Sequence, residues 1–144
     1  MQESNQNFNH LKIHTQYSIC EGAIKIEDLK NYCKKNKIKS IGLSDTNNLC
    51  GALEFSEEIS KAGTQPIIGT QINFKFNDEI GLVPLIAKNQ KGYETILKLS
   101  SESYLQNNDN LIPYCDISNL INSPDGIIVL SGSLHSLSGH LFNK

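Results

Sequence analysis

At 144 residues the chain has material for one compact domain but not for two. Its 38% apolar and 19% charged residues are a globular mixture, which excludes a disordered chain, and no apolar run is long enough to cross a bilayer. The formal charge of −2 argues against a nucleic-acid grip, because neutralising phosphates takes a clustered Lys/Arg surface.

Residues 1–7 are polar, with no apolar core, so they read as a disordered N-terminus and not as a signal peptide. Asn9 to Ile13 reads as a short strand with Leu11 and Ile13 on one side and His10, Lys12 and His14 on the other. A helix follows, with Ile26, Leu29, Tyr32 and Cys33 on its apolar face. Lys30, Lys34, Lys35, Lys37 and Lys39 form a solvated face. Ser40 to Leu43 is a buried strand. Ala52, Phe55, Ile59 and Ala62 stripe a second helix, closed by Gly63.

Pro66 to Ile68 is then a strand, Ile72 to Phe76 a half-exposed one and Leu82 to Ala87 a buried one, with Asn77-Asp78-Glu79 as a loop. Tyr93, Ile96, Leu97 and Tyr104 mark a long helix, and Gln106 to Asn110 a further loop. Ile117, Leu120 and Ile121 mark a short helix, Gly126 to Leu130 another buried strand, and Ser138 a cap for one more helix. This alternation predicts an α/β fold whose strands 9–13, 40–44, 66–68, 82–87 and 127–131 lie side by side, mostly parallel, with helices outside. Cys20, Cys33, Cys50 and Cys115 show no CxxC pair or zinc-finger spacing. They are expected as reduced, buried thiols of a cytoplasmic protein.

His14, Asp45, Thr46, Gln71 and Ser133 all fall at or just past the C-terminal end of a predicted strand. In barrels and doubly wound sheets those ends share one face, where sites are built.

Three motifs carry a family resemblance: His10-Leu11-Lys12-Ile13-His14-Thr15 with Glu21-Gly22, Ser44-Asp45-Thr46-Asn47-Asn48, and Ile68-Gly69-Thr70-Gln71. Together with Asn48 to Phe55, Ala62 to Gly69, Ala87 to Tyr93 and Gly126 to Gly132, in that order, the chain resembles the polymerase and histidinol phosphatase (PHP) domain. More narrowly, it is similar to the version that opens the alpha subunit of bacterial DNA polymerase III. The likeness runs over roughly residues 8 to 142. It implies a PHP-type distorted (β/α)7 barrel, of which residues 8–144 would be the N-terminal portion, an incomplete barrel.

Active members of that family hold a metal cluster for phosphoester hydrolysis. Carried over position by position, the resemblance implies a degenerate site. The His-x-His pair falls on Lys12 and His14, and the following Asp on Glu21. The Asp-His pair falls on Asp45 and Thr46, the Glu on Gln71 and the Cys on Ser133. A multi-metal site needs anionic carboxylates and neutral imidazoles to offset its charge. Lys12 instead adds a positive charge, and Gln71 removes a negative one. Lys12 could stand in for a metal by pairing with Glu21 or Asp45, or it could reach out to solvent. The expectation is therefore no catalytic residue and no metal or other cofactor in this segment, whereas the parent polymerase, a nucleotidyltransferase of DNA replication, would use Mg.

The resemblance implies a non-catalytic module that scaffolds the rest of the polymerase and docks the proofreading exonuclease subunit, with little nucleic-acid binding of its own and no membrane contact. The alternative is a working metal-dependent phosphoesterase or a 3′–5′ proofreading nuclease.

Overall fold

A computed structural model describes residues 8–105, 112–122 and 125–142. The expected disordered segment 1–7 and the loop Gln106 to Asn110 lie outside them. The elements in chain order are α1 (Ile26–Asn36), β1 (Ser40–Gly42), β2 (Asp45–Thr46), α2 (Ala52–Lys61), β3 (Gln65–Ile67), β4 (Gly69–Phe76), β5 (Glu79–Ala87), α3 (Gln90–Leu105), β6 (Cys115–Asp116), α4 (Ile117–Ile121), β7 (Ile127–Val129) and α5 (Leu137–Phe142). None of the described helices is long and apolar enough to cross a membrane.

The first half is built by helical periodicity. Ile26, Leu29 and Cys33 recur at three- and four-residue spacing along α1, and Ala52, Phe55 and Ile59 do so along α2. Both stripes pack on Ile41 and Leu43 to make one apolar cluster. Full burial of side chains such as Phe55 and Ile59 stabilises by ~1.5–3 kcal/mol each. Glu27 and Asp28 open α1 and Lys34 and Lys35 close it, which suits the helix dipole. Gly63, at φ +77°, ends the α2 segment as expected. Tyr32, expected on the buried face, is half exposed instead.

Beneath these helices β1 pairs with β3 in parallel. Pro66 offers no N–H to the free edge of β3, and its carbonyl accepts from the Gln65 side chain at 3.1 Å, so that edge is blunted against further pairing.

The second half departs from the expected parallel order. β4 joins β5 through the two-residue turn Asn77–Asp78, and a connection that short permits only an antiparallel hairpin. β7 is antiparallel to β5, while β2 and β6 run parallel to β4. Among the described strands, parallel ladders thus join β1 to β3, β2 to β4 and β4 to β6. The fold is mixed α/β, and the described strands form a two-stranded and a five-stranded sheet with no closed barrel.

Residues 9–13 form no ladder strand. They run extended beside β1, joined through the single parallel bridge Ile13–Leu43 and the bond from Gly42 N to His10 O at 2.6 Å. The strand expected to be half exposed at 72–76 is buried at Ile72 and Phe74, because α3 covers it. The strand expected to be buried at 126–130 is half exposed at Ile128 and Val129, because β7 pairs on one side only. On α3 it is Ile96 and Leu99 that are buried, with Leu97 and Tyr104 partly exposed. Ser138 lies inside α5, and it is Ser136 Oγ that takes the Gly139 N–H, at 3.4 Å. Cys33 and Cys115 are buried thiols, and burial pushes Cys115 up to about 11. Cys20 and Cys50 are exposed, contrary to expectation.

Two predictions follow from the packing. Gly92, in the first turn of α3, touches the Gly126 loop so closely that an added Cβ would sit 1.8 Å from the Gly126 carbonyl oxygen. Gly92→Ala is expected to destabilise by about 2 kcal/mol or more, read as a lower urea midpoint. Between α1 and α2, Lys30 and Lys61 each hold the Glu58 carboxylate at 2.5 Å and lower it to about 2. Its contribution is present above the unfolded value of ~4.3 and is lost as pH falls towards about 2. Glu58→Gln is expected to flatten the stability-versus-pH curve in that window and leave its shape unchanged above it.

Candidate functional site

Asp45 and Thr46 stand on β2 and Gln71 on β4. Parallel pairing sets Asp45 beside Thr70 and Thr46 beside Gln71. Alternation along β2 then sends the two side chains to opposite faces.

Asp45 points into the protein and is fully buried. Its Oδ1 accepts from Thr15 N and from Ser18 Oγ, both at 2.6 Å, and its Oδ2 accepts from Thr15 Oγ1 at 2.8 Å. These bonds tie the loop after Ile13 to β2. Hydrogen bonds to a charged acceptor contribute ~1.5–3 kcal/mol each. Ser18 Oγ also accepts from Thr46 N at 3.1 Å, which fixes the backbone of the neighbouring strand residue.

Thr46, on the other face, joins a chain of polar groups. Gln71 Nε2 donates to Thr46 Oγ1 at 2.7 Å, and Thr46 Oγ1 donates to Glu21 Oε2. His14 Nδ1 lies 3.8 Å from the same Glu21 oxygen and 3.5 Å from Ser18 Oγ. Gln71 is 3% exposed, and its Oε1 has no hydrogen-bond partner. Lys12, His14, Glu21, Gln71 and Ser133 line one cavity of about 400 Å³, with Leu82, Pro84, His135 and Ser136 completing it. A larger cavity of about 520 Å³ lies between α2, β3 and the start of α3, away from all of these residues.

The structure therefore gathers five of the seven sequence-singled residues around one space and links Thr46 to it through Glu21 and Gln71. Asp45 alone is withdrawn. The sequence reading missed Thr15 and Ser18, which saturate Asp45, and His135, which enters the cavity from the loop before α5. A histidine two positions after Ser133, on a loop following a strand, was the available signal for the last. Lys12 is exposed, and among the described residues no carboxylate lies within ion-pairing distance of it. The expected pairing with Asp45 is blocked, because that carboxylate is enclosed by its three donors.

A metal cluster does not fit these residues. Among the described residues no group of three or more His, Cys, Asp or Glu is placed to hold a metal ion. Glu21 is engaged by Thr46, Asp45 faces away, and Lys12 sets an ammonium at the cavity wall. What the arrangement can do is hydrogen-bond, with an unmatched acceptor at Gln71.

Restoring a carboxyl at that position tests this electrostatic description. In Gln71→Glu the introduced group would be buried and near Glu21, both of which raise its pKa. While protonated it can still donate to Thr46. Its cost appears as pH rises through the unfolded value of ~4.3, and ~2–4 kcal/mol should be missing at pH 7. Urea midpoints near those of wild type at pH 4 and well below them at pH 7 are the expected result.

The chain matches the PHP domain over residues 10–143. It is 38% identical over 132 residues to the DNA polymerase III subunit alpha of Haemophilus influenzae, covering 90% of this chain and 11% of that protein. It is 39% identical over 124 residues to the protein of the same name from Rickettsia felis, covering 85% of this chain and 10% of that one. The chain thus spans about a tenth of the length of these relatives. Among solved structures, an amidohydrolase from Chromobacterium violaceum superposes with a TM-score of 0.51 at 13% identity, over 68% of this chain and 34% of that one, a likeness of fold. A match over nearly the whole length leads to one conclusion: the chain belongs to the PHP domain family.

Proposed function

We propose that this chain is the PHP module of a replicative DNA polymerase III alpha subunit, and that it serves as a non-catalytic scaffold. The polymerase assignment is supported by identities of 33–39% to subunits of that name from several bacteria. The non-catalytic reading is carried by one observation, the chain of hydrogen bonds from Gln71 through Thr46 to Glu21. Groups that would have to converge on metal ions bond to one another instead, and Asp45 turns its back on the cavity. Phosphoester hydrolysis by a metal cluster needs open, anionic donors to activate water and neutralise the leaving oxygen. This mouth supplies one carboxylate, two histidines and a lysine.

As a scaffold, the module packs against the polymerase to which it is joined and receives the proofreading exonuclease subunit. A net charge of −2 suits a protein partner better than a phosphate backbone.

Two measurements test the reading. Zinc or manganese at concentrations that load PHP phosphoesterases is expected to leave the melting temperature unchanged, because a ligand that binds the folded state must raise it. Stoichiometric metal, or phosphoesterase turnover lost on chelation, would reverse the assignment. Calorimetric titration of the alpha subunit carrying this module with the exonuclease subunit is expected to show micromolar or tighter binding. Loss of that binding on deleting the module locates the docking surface, and its persistence removes the docking role.

A further inference from the structure

We propose that the lysine-rich end of α1 is an electrostatic docking surface for an acidic segment of a protein partner. The inference rests on the scaffold reading above and adds the chemistry of the surface that receives the partner.

The chain concentrates its positive charge in one place. Residues 25–39 hold Lys25, Lys30, Lys34, Lys35, Lys37 and Lys39 against Glu27 and Asp28, a local charge of +4 in a chain of net charge −2. The fold neutralises only part of that excess. Lys30 is held by Glu58 on α2, which Lys61 shares. Lys34, Lys35, Lys37 and Lys39 are exposed, and among the described residues no carboxylate lies within ion-pairing distance of them.

Helix stability does not account for all four. Lys34 and Lys35 in the last turn suit the dipole, but its effect fades within that turn and Lys39 lies beyond it. Lys34 also stands four residues after Lys30, a like-charge spacing that works against a helix. Lys37 caps α1 in the left-handed region, at φ 51° and ψ 44°, and donates its N–H to Cys33 O. That conformation crowds the Cβ of an L residue and favours glycine or asparagine. The chain thus keeps an ammonium where its backbone is better served by glycine.

The anion that fits this patch is short. At ~1.5 Å per helical residue the four lysines span on the order of 10 Å. Glu27 and Asp28 stand at the other end of the same helix, and Glu58 lies beside it. A nucleic-acid duplex carries a charge every ~1.7 Å along its axis, so it would press phosphates against those carboxylates as well. A few Asp or Glu side chains on one protein segment match the patch without reaching them. Tyr32 is 47% exposed, one turn before Asn36, whose Nδ2 donates to its carbonyl at 2.9 Å. It adds an aromatic contact of the kind enriched in protein interfaces.

The test is kinetic. Association of the alpha subunit carrying this module with the exonuclease subunit is expected to slow as salt rises. Lys34→Glu/Lys37→Glu is expected to cut the on-rate about tenfold at low salt and to flatten its salt dependence. Lys37→Gly separates docking from folding: relief of the cap raises the melting temperature by ~2 °C or more, while the on-rate falls. Excess oligoglutamate peptide is expected to slow association to the wild type, and duplex DNA of equal charge is not.

Three outcomes overturn the proposal. One is a charge-reversed variant that associates as fast as wild type. Another is duplex DNA that competes as well as the peptide, which would make the patch a phosphate contact. The third is Lys37→Gly that melts higher yet binds unchanged, which would leave the lysines a solvated face only. If wild type does not bind the exonuclease subunit at all, it is the scaffold reading that fails. Oligoglutamate titrated into this chain, followed through the amide resonances of residues 34–39, then decides the patch: saturable shifts confined there support it, and their absence at low salt overturns it.

Discussion

The buried carboxylate of Asp45 organises the mouth of this fold. A charge taken out of water is tolerable only when donors replace its hydration, and here Thr15 and Ser18 supply three. Meeting that demand clamps the loop after Ile13 onto β2. Ser18, held by Asp45, also takes the Thr46 N–H, and Thr46 then meets Glu21 from the same loop and Gln71 from β4. One buried charge thus decides how three distant segments face one another.

The same demand bears on chemistry. A carboxylate surrounded by internal donors is not an open ligand, and the residues left around the cavity are matched to one another. Gln71 is the exception, with a carbonyl unanswered at a position where hydrogen bonds are otherwise complete. Natural interiors seldom leave such a group unpaired. Family membership and the chemistry of the cavity are separate matters: the first follows from the match over residues 10–143, the second from which side chains line the space.

Much of the fold was legible where periodicity was strong. The stripes Ile26-Leu29-Cys33 and Ala52-Phe55-Ile59 have one good solution each, a helix laid on a sheet. The strands were located but not oriented. Asn77-Asp78 carries the signal of a tight turn, yet only the pairing of Phe76 with Glu79 makes it a hairpin and reverses β5. β2 and β6 are two residues long, too short for any pattern, and exist because β4 offers them an edge. Exposure at Ile128 and Val129 reflects their place on a strand paired on one side, which composition does not encode.

By itself, the sequence determined the residue types around the cavity, among them a lysine, a glutamine and a serine. Side-chain chemistry is a property of the residue, so that much needs no neighbour. Only the tertiary structure decided which way each proton points, that Asp45 does not line the cavity, and that His135 lines it together with His14. Those outcomes depend on pairs such as Thr15 with Asp45 and Thr46 with Gln71, 25 or more residues apart, whose meeting is set by strand register and burial and by no local pattern.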